Sequence, residues 1–360
     1  MNAALIGCGR IGFLLEKDPL RNKPCTHFGG ACAARIRITC AADIDSGRLA
    51  AFKSAAGLTD DSCFDNYKTL LEVKKPELVI IALPTPLHSD AATAAANAGA
   101  KLIVLEKPIA HSLSAASKLI ASCDAAGAKL IINHERRFDA RYQKVKAMLD
   151  SGIIGELRSV HCRILTGGYR GNSLLTEGGG PLLHDGTHLV DIVRFFCGNI
   201  ALLSREFKRF GNRTSGYEDA AAAWLKTDAG VDVFIEAGGG YKHFVFEIEL
   251  FGTEGKIIIG NGYEALFKSK KSKYYVNFKD LASVKFPAYK KNNCFAALYG
   301  EVKKAAQNPS LAVQSSWIDG YKALEIIHAI YYSGANGGKQ VALPIDPKVI
   351  RLDKIFGIKK

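Results

Sequence analysis

The chain lacks several things that would settle its class at once. None of its nine cysteines falls in a C-x-x-C pair, and their number is odd. They lie mostly inside apolar stretches such as "RITCAADI" and "VRFFCG", so reduced, buried, cytosolic thiols are expected rather than a disulfide framework. No apolar run approaches the length of a membrane span, so no spanning helix is expected. The start, "MNAALIGCGR", has no basic n-region and no small-residue cleavage site after it. No signal peptide is therefore expected, and the reading is cytoplasmic. Acidic residues are in short supply: 35 Asp and Glu face 48 Lys and Arg, a formal net charge of +13.

That charge admits three partners. A basic patch with aromatics interleaved, such as "FKSKKSKYY" (Phe267–Tyr275), would serve nucleic acid. A single run without a recognition motif is better read as a solvated lysine-rich loop or hairpin. An anionic small substrate or cofactor suits the charge equally well.

The length, 360 residues, is too great for one ordinary core and fits two domains. In the first third, short apolar runs (Ala3–Gly7, Ile36–Asp43, Leu78–Leu83, Lys101–Leu105, Lys129–Asn133) alternate with helical stretches at Ser46–Ala56, Tyr67–Lys74, Ser89–Ala98 and Ser114–Ala126. Near-continuous apolar strands between helices predict a doubly wound parallel sheet, an α/β Rossmann domain over residues 1–132. From about Phe138 the pattern becomes a helix and then strands joined by turn signals, with terminal helices at Cys294–Ala306 and Ser316–Tyr332. This predicts an α+β domain over 133–360 with a large, mainly antiparallel open sheet, and room for the C-terminal helix to pack back on the first domain.

"ALIGCGRIG" sets Gly7, Gly9 and Gly12 at G-x-G-x-x-G spacing directly after a strand, with Arg10 and Ile11 in the same turn. The first glycine allows the turn, the second lets backbone approach a pyrophosphate, and the third permits close packing. The second strand ends in Asp43. A carboxylate there binds ribose hydroxyls and repels a 2′-phosphate, so NAD is expected, with NADP less favoured. One departure stands out. Asp18-Pro19 and Lys23-Pro24 interrupt the helix that should follow, and Asp43 lies 31 residues after Gly12. Glu16–Pro24 reads as an inserted loop near the pyrophosphate. Its Lys17, Arg21 and Lys23 either touch a phosphate or are simply solvated.

"GGGPLLHDGTH" places His184 and His188 four residues apart, with Asp185 and Asp191 beside them. The stripe His184, His188, Asp191 has metal-ligand spacing, but the glutamate of H-E-x-x-H is absent. Gly186 within the motif favours a helix start close to a ligand, so no metal is expected.

Together with "ALPTPLH" (Ala82–His88), "LEKPIA" (Leu105–Ala110) and "NHERRF" (Asn133–Phe138), these motifs resemble the Gfo/Idh/MocA oxidoreductases, the glucose–fructose oxidoreductase and inositol dehydrogenase type. The resemblance covers residues 1–260 clearly and the rest loosely. It implies an NAD(P)-dependent dehydrogenase or reductase moving a hydride between nicotinamide and a hydroxyl or keto carbon of a sugar, cyclitol or sugar nucleotide. It implies that Lys107 contacts the substrate hydroxyl and the cofactor ribose and helps relay the proton, with Glu106 supporting the cofactor site and Pro108 fixing the turn. Pro84, Thr85 and His88 then border the cofactor at a strand end. His188 becomes the general base. The family's aspartate falls on His184. Three readings stay open: His184 replaces it as a substrate hydrogen-bonding group, Asp185 orients His188, or the substrate has changed or activity is lost. The first is preferred. Arg136 and Arg137 either line the cleft and grip an anion, or form a salt-bridge network. Tyr169 and Arg170 would shape the sugar pocket. The resemblance also implies a homodimer or homotetramer. The alternative function is an NAD-binding sensor or scaffold that has lost turnover.

Overall fold

The computed structural model describes residues 1–167, 179–204, 207–208, 218–350 and 352–356. The chain divides into two compact units, Met1–Ala140 with Lys291–Tyr321 and Arg141–Lys290 with Lys322–Lys360.

The first unit is built on a six-stranded sheet in the order β3-β2-β1-β4-β5-β6. The strands are β1 (Ala3–Ile6), β2 (Ile38–Ala42), β3 (Cys63–Phe64), β4 (Leu78–Ile81), β5 (Leu102–Leu105) and β6 (Lys129–Ile132). All neighbours pair in parallel. Every residue of β1, β4 and β5 is buried, which is why those runs are apolar without alternation. The strand order reverses beside β1, so its C-terminal end and that of β4 flank the crevice where ligands bind in such sheets.

The helices are set by local chemistry. The carboxylate of Asp45 accepts from Arg48 N to begin α2 (Ser46–Ala56), which stops at Gly57 in the left-handed region. Ser112 caps α5 (Leu113–Ala126), which ends at Gly127 with φ 63°. Between these lie α3 (Tyr67–Lys74) and α4 (His88–Asn97). Cys294–Gln307 also belongs to the first unit.

The interruption after Gly12 has a simple form. A helical turn starts at the glycines, with Phe13 N and Leu14 N donating to Gly9 O, and then loops out. Helix α1 (His27–Ala33) resumes it: His27 N donates to Ile11 O and Phe28 N to Gly12 O, both at 3.0 Å. In an unbroken helix the donor to residue 11 would be residue 15, so His27 is displaced by 12 positions. Subtracting that from the 31-residue interval leaves Asp43 about 19 residues beyond Gly12, close to the ordinary spacing. The insertion is anchored by Phe13, which meets Phe28 and Phe52 edge-to-face at 5.5 and 5.4 Å.

The second unit carries a mainly antiparallel sheet. Its strands are β7 (Leu157–Leu165), β8 (Ile200–Ser204), β9 (Phe207–Lys208), β10 (Ala220–Thr227), β11 (Asp232–Gly238), β12 (Val245–Gly252), β13 (Gly255–Gly260), β14 (Tyr263–Lys271), β15 (Lys279–Val284) and β16 (Val341–Ala342). The order is β15-β14-β13-β12-β7-β11-β10-β8-β16, with β9 beside β10, and only the β11–β7 pair is parallel among those described. Along β10–β12, buried and more exposed residues alternate, as a sheet with one covered face requires. Helices α6 (Ala140–Asp150), α7 (Pro181–His184), α8 (Gly186–Cys197), α9 (Cys294–Gln307), α10 (Trp317–Ala335) and α11 (Leu352–Phe356) complete the described chain. The lysine run is the β14–β15 hairpin, with Tyr274, Tyr275, Val276 and Phe278 exposed at its tip.

Candidate functional site

The glycine turn distinguishes its three glycines physically. Gly7 sits at φ 95°, and a Cβ there would lie 2.5 Å from Ala82 O. A Cβ on Gly12 would lie 2.1 Å from Gly7 O. Both positions are closed by the protein itself. At Gly9 nothing stands within 4 Å of an added Cβ, so the turn presents bare backbone to open space. A pyrophosphate fits there. Arg10 is exposed and Ile11 half-buried on the same turn. Asp43, at the end of β2, accepts from Cys8 N at 2.8 Å, Asp45 N at 2.9 Å and the Arg48 guanidinium at 3.0 and 3.2 Å. Its carboxylate therefore ties the glycine turn to the next helix.

The two other strand-end loops are joined by one ring. His88 is 1% exposed, with Nδ1 2.8 Å from Pro108 O and Nε2 2.8 Å from Leu83 O. Burial lowers its pKa, against the pull of the two carbonyls. Both ring nitrogens face carbonyls inside the fold, so the buried His88 ring sits between "ALPTPLH" and "LEKPIA", and a neutral ring donates to one of the two. Pro84 is exposed and Thr85 buried in the 3-10 turn before it. Pro108 follows a cis peptide.

Glu106 is 6% exposed and does not face outward. Its Oε1 lies 2.8 Å from His27 Nε2 and accepts from Asn133 Nδ2. Burial alone would raise its pKa, but the hydrogen bond and electrostatic pull of His27, then the charge of Lys107 and the Asn133 bond, hold it down to about 2. Lys107 itself is half-buried. Of the two arginines in "NHERRF", Arg137 is buried, 2.9 Å from Asp319 and donating to Gln314 O at 3.0 Å. That is the salt-bridge network, and it corrects the anion grip for this residue. Arg136 is half-buried. The first unit also contains a cavity of about 690 Å³ lined by Glu77, Lys101, Lys129 and Trp317. It opens at the N-terminal ends of β4–β6, away from the glycine turn.

In the second unit, Gly180 precedes α7, and the chain kinks at Asp185, where His188 N donates to Asp185 O at 3.1 Å. His184 Nδ1 lies 3.1 Å from Asp185 Oδ1, so the acid that follows His184 holds its ring. His184 and His188 are both half-buried, whereas Asp191 is 1% exposed. Among the described residues no group of three or more His, Cys, Asp or Glu side chains is placed to hold a metal ion. Tyr169 and Arg170 lie outside the described residues.

Three residues escaped the sequence reading. Arg48 sits beside Asp43, and His27 behind Glu106. Glu218, fully buried, accepts from Leu182 N at 2.8 Å and anchors the first turn of α7. No local pattern marks them; each acts across elements.

A Rossmann sheet with this glycine turn and acid, followed by an open antiparallel sheet, defines the class of two-domain dinucleotide-dependent oxidoreductases. The model of the oxidoreductase family with an NAD-binding Rossmann fold matches residues 1–134, and that of the GFO/IDH/MocA C-terminal domain matches 142–258. The chain belongs to the Gfo/Idh/MocA oxidoreductase family. It is 26% identical over 351 residues to inositol 2-dehydrogenase 2 of Saccharopolyspora erythraea, covering 94% of each chain. It is 28% identical over 268 residues to the NAD⁺-dependent scyllo-inositol 2-dehydrogenase of Bacillus subtilis, covering 72% of this chain and 74% of that one. Among solved structures, the WlbA dehydrogenase of Bordetella pertussis, in complex with NADH and UDP-GlcNAcA, aligns with a TM-score of 0.76 at 21% identity, covering 96% of this chain and 99% of that one.

Proposed function

We propose that this protein is an NAD-dependent dehydrogenase that oxidises a secondary hydroxyl of a cyclitol, sugar or sugar nucleotide, or reduces the matching ketone. The observation that carries the cofactor reading is the glycine turn, open at Gly9 alone, beside a buried Asp43 carboxylate. That acid favours NAD over NADP, because a 2′-phosphate would meet its charge. Bound NAD supplies the hydride acceptor. The protein supplies the rest. The Lys107 ammonium stabilises negative charge on the substrate oxygen. His188 takes the hydroxyl proton, a task suited to imidazole. His184, steadied by Asp185, donates to or accepts from a neighbouring hydroxyl where relatives carry aspartate. Arg136, Tyr169 and Arg170 are assigned to the substrate. The names of the inositol dehydrogenase relatives support the cyclitol class, and the UDP-GlcNAcA complex of WlbA keeps sugar nucleotides in the panel. The exposed aromatics of the second sheet support a homodimer or homotetramer.

The test is a panel of inositols, aldoses and sugar nucleotides assayed by NADH absorbance. Lys107→Ala should abolish NADH production, a fall of about a thousand-fold, while NAD still binds with affinity within about three-fold of the native protein. If NAD binds and no alcohol or ketone in the panel is turned over, the enzyme reading falls and the NAD-binding sensor replaces it.

A further inference from the structure

Next to Lys107 in the chain, Glu106 ends a buried polar cluster that the proposed chemistry does not use. Tyr299 from α9, His27 from α1, Glu106 after β5 and Asn133 after β6 converge on one point, and each is at most 6% exposed. Tyr299 Oη lies 2.8 Å from His27 Nδ1, and His27 Nε2 lies 2.8 Å from Glu106 Oε1. An ionised carboxylate only accepts, so Nε2 carries the hydrogen. Burial keeps the Tyr299 hydroxyl protonated, its pKa well above the usual range. The chain of contacts runs from Tyr299 to His27, and His27 Nε2 donates to Glu106, the residue next to Lys107.

Several features of the sequence exist only in this arrangement. A Cβ on Gly30 would lie 2.5 Å from the Tyr299 ring, so the tyrosine reaches His27 only past a glycine. The inserted loop sets the histidine. Glu16 Oε2 accepts from Cys25 N at 3.0 Å and Thr26 Oγ1 at 2.7 Å, and Thr26 then caps α1 one residue before His27. A Cβ on Gly29 would meet the Glu16 carboxylate. A buried ionic chain of this kind is a poor source of stability compared with apolar packing. Its value lies in fixing a charge at one place.

We propose that His27 is a positioning residue for Lys107: with Tyr299 behind it, it holds Glu106 as an oriented carboxylate at the strand end that carries the lysine, and the inserted loop seats it there. The inference rests on the reading that Lys107 handles the substrate proton, but its first test does not need turnover. Intact protein without NAD is treated with an amine-acylating reagent at fixed pH, and modification of Lys107 is followed by peptide mass spectrometry, with Lys101 and Lys129 as internal references. His27→Ala should raise the rate at Lys107 about ten-fold over the references. His27→Gln, whose amide can still donate to Glu106, should stay within about three-fold of the native rate, and Tyr299→Phe should fall between the two. In turnover, His27→Ala should lower kcat about ten-fold or more while KM for NAD changes less than about three-fold.

An unchanged Lys107 rate in folded His27→Ala overturns the proposal, and so does a rise shared equally by Lys101 and Lys129. If His27→Ala does not fold, Glu106→Gln and Tyr299→Phe decide by the same measure. A labelling result as expected, with no substrate ever turned over by the native protein, leaves the positioning role standing and removes the dehydrogenase reading instead.

Discussion

Asp43 is held by two backbone N–H groups and a guanidinium, and its charge is what a 2′-phosphate must overcome. Arg48, 40% exposed at its side chain, is the only one of these partners with a charge to offer a phosphate. Replacing Asp43 by Ser should release it. A charge-assisted hydrogen bond contributes about 1.5–3 kcal/mol, roughly one to two powers of ten in binding. The ratio of kcat/KM for NADP to that for NAD should therefore rise about a hundred-fold in Asp43→Ser, and adding Arg48→Ala should remove most of the gain. If the double variant prefers NADP as strongly as the single one, Arg48 has no part in cofactor choice. The acid was legible because it ends a strand after a glycine motif. Arg48 was not, since an arginine in the first turn of a helix looks like any solvated surface residue until its partner is known.

At the scale of elements, helix and strand positions followed from local signals: α2 and α3 begin and end where the sequence reading puts them. The insertion after Gly12 was legible in its two prolines, but the place where the helix resumes was not, because the bonds that rejoin it link residues 11 and 12 to 27 and 28, a pairing no local window contains. Glu218 is a second case. It precedes β10 in an ordinary "GYEDAAAAW" stretch, yet it holds the turn of α7 that leads to His184. Burial pushes its pKa up from 4.5 to about 7. The folded state then keeps a proton that the unfolded chain releases, so stability falls as pH rises from about 4.5 to about 7 and levels off above. The penalty is about 3 kcal/mol at most for that shift. Glu218→Gln keeps an acceptor for Leu182 N and cannot ionise. Urea unfolding should show the native protein losing about 2 kcal/mol more than this variant between pH 5 and pH 8. Parallel curves for the two proteins would mean that Glu218 ionises normally.

At the scale of the whole molecule, the change from strand–helix alternation to hairpins suggests two domains and leaves room for the C-terminal helix to pack back on the first, but it does not say that Lys291–Tyr321 is the segment grouped with the first unit. That grouping rests on buried contacts between distant segments, such as Tyr299 with His27. The outer face of the second sheet raises a further question of assembly. Trp224 is 46% and Phe234 40% exposed, and they stack with centroids 5.8 Å apart. His161 continues the stripe to Phe234 at 4.8 Å and to Phe251 at 5.1 Å. These residues lie across β10, β11, β7 and β12, so the stripe is contiguous, and monomers rarely leave such a patch in water. A second copy meeting the same face would bury an aromatic centre without bringing the Lys270–Lys273 charges to it, since those sit on the β14–β15 edge. Phe234→Lys places a charge at the middle of the stripe, opposite Trp224. Sedimentation at micromolar concentration should find the native protein as a dimer or tetramer and Phe234→Lys shifted to monomer, with NAD affinity per chain unchanged within about two-fold, because the substitution is remote in sequence and unit from the glycine turn. A native protein that sediments as a monomer up to 100-fold higher concentration, roughly 3 kcal/mol more favourable to association, would assign the stripe to something other than self-assembly.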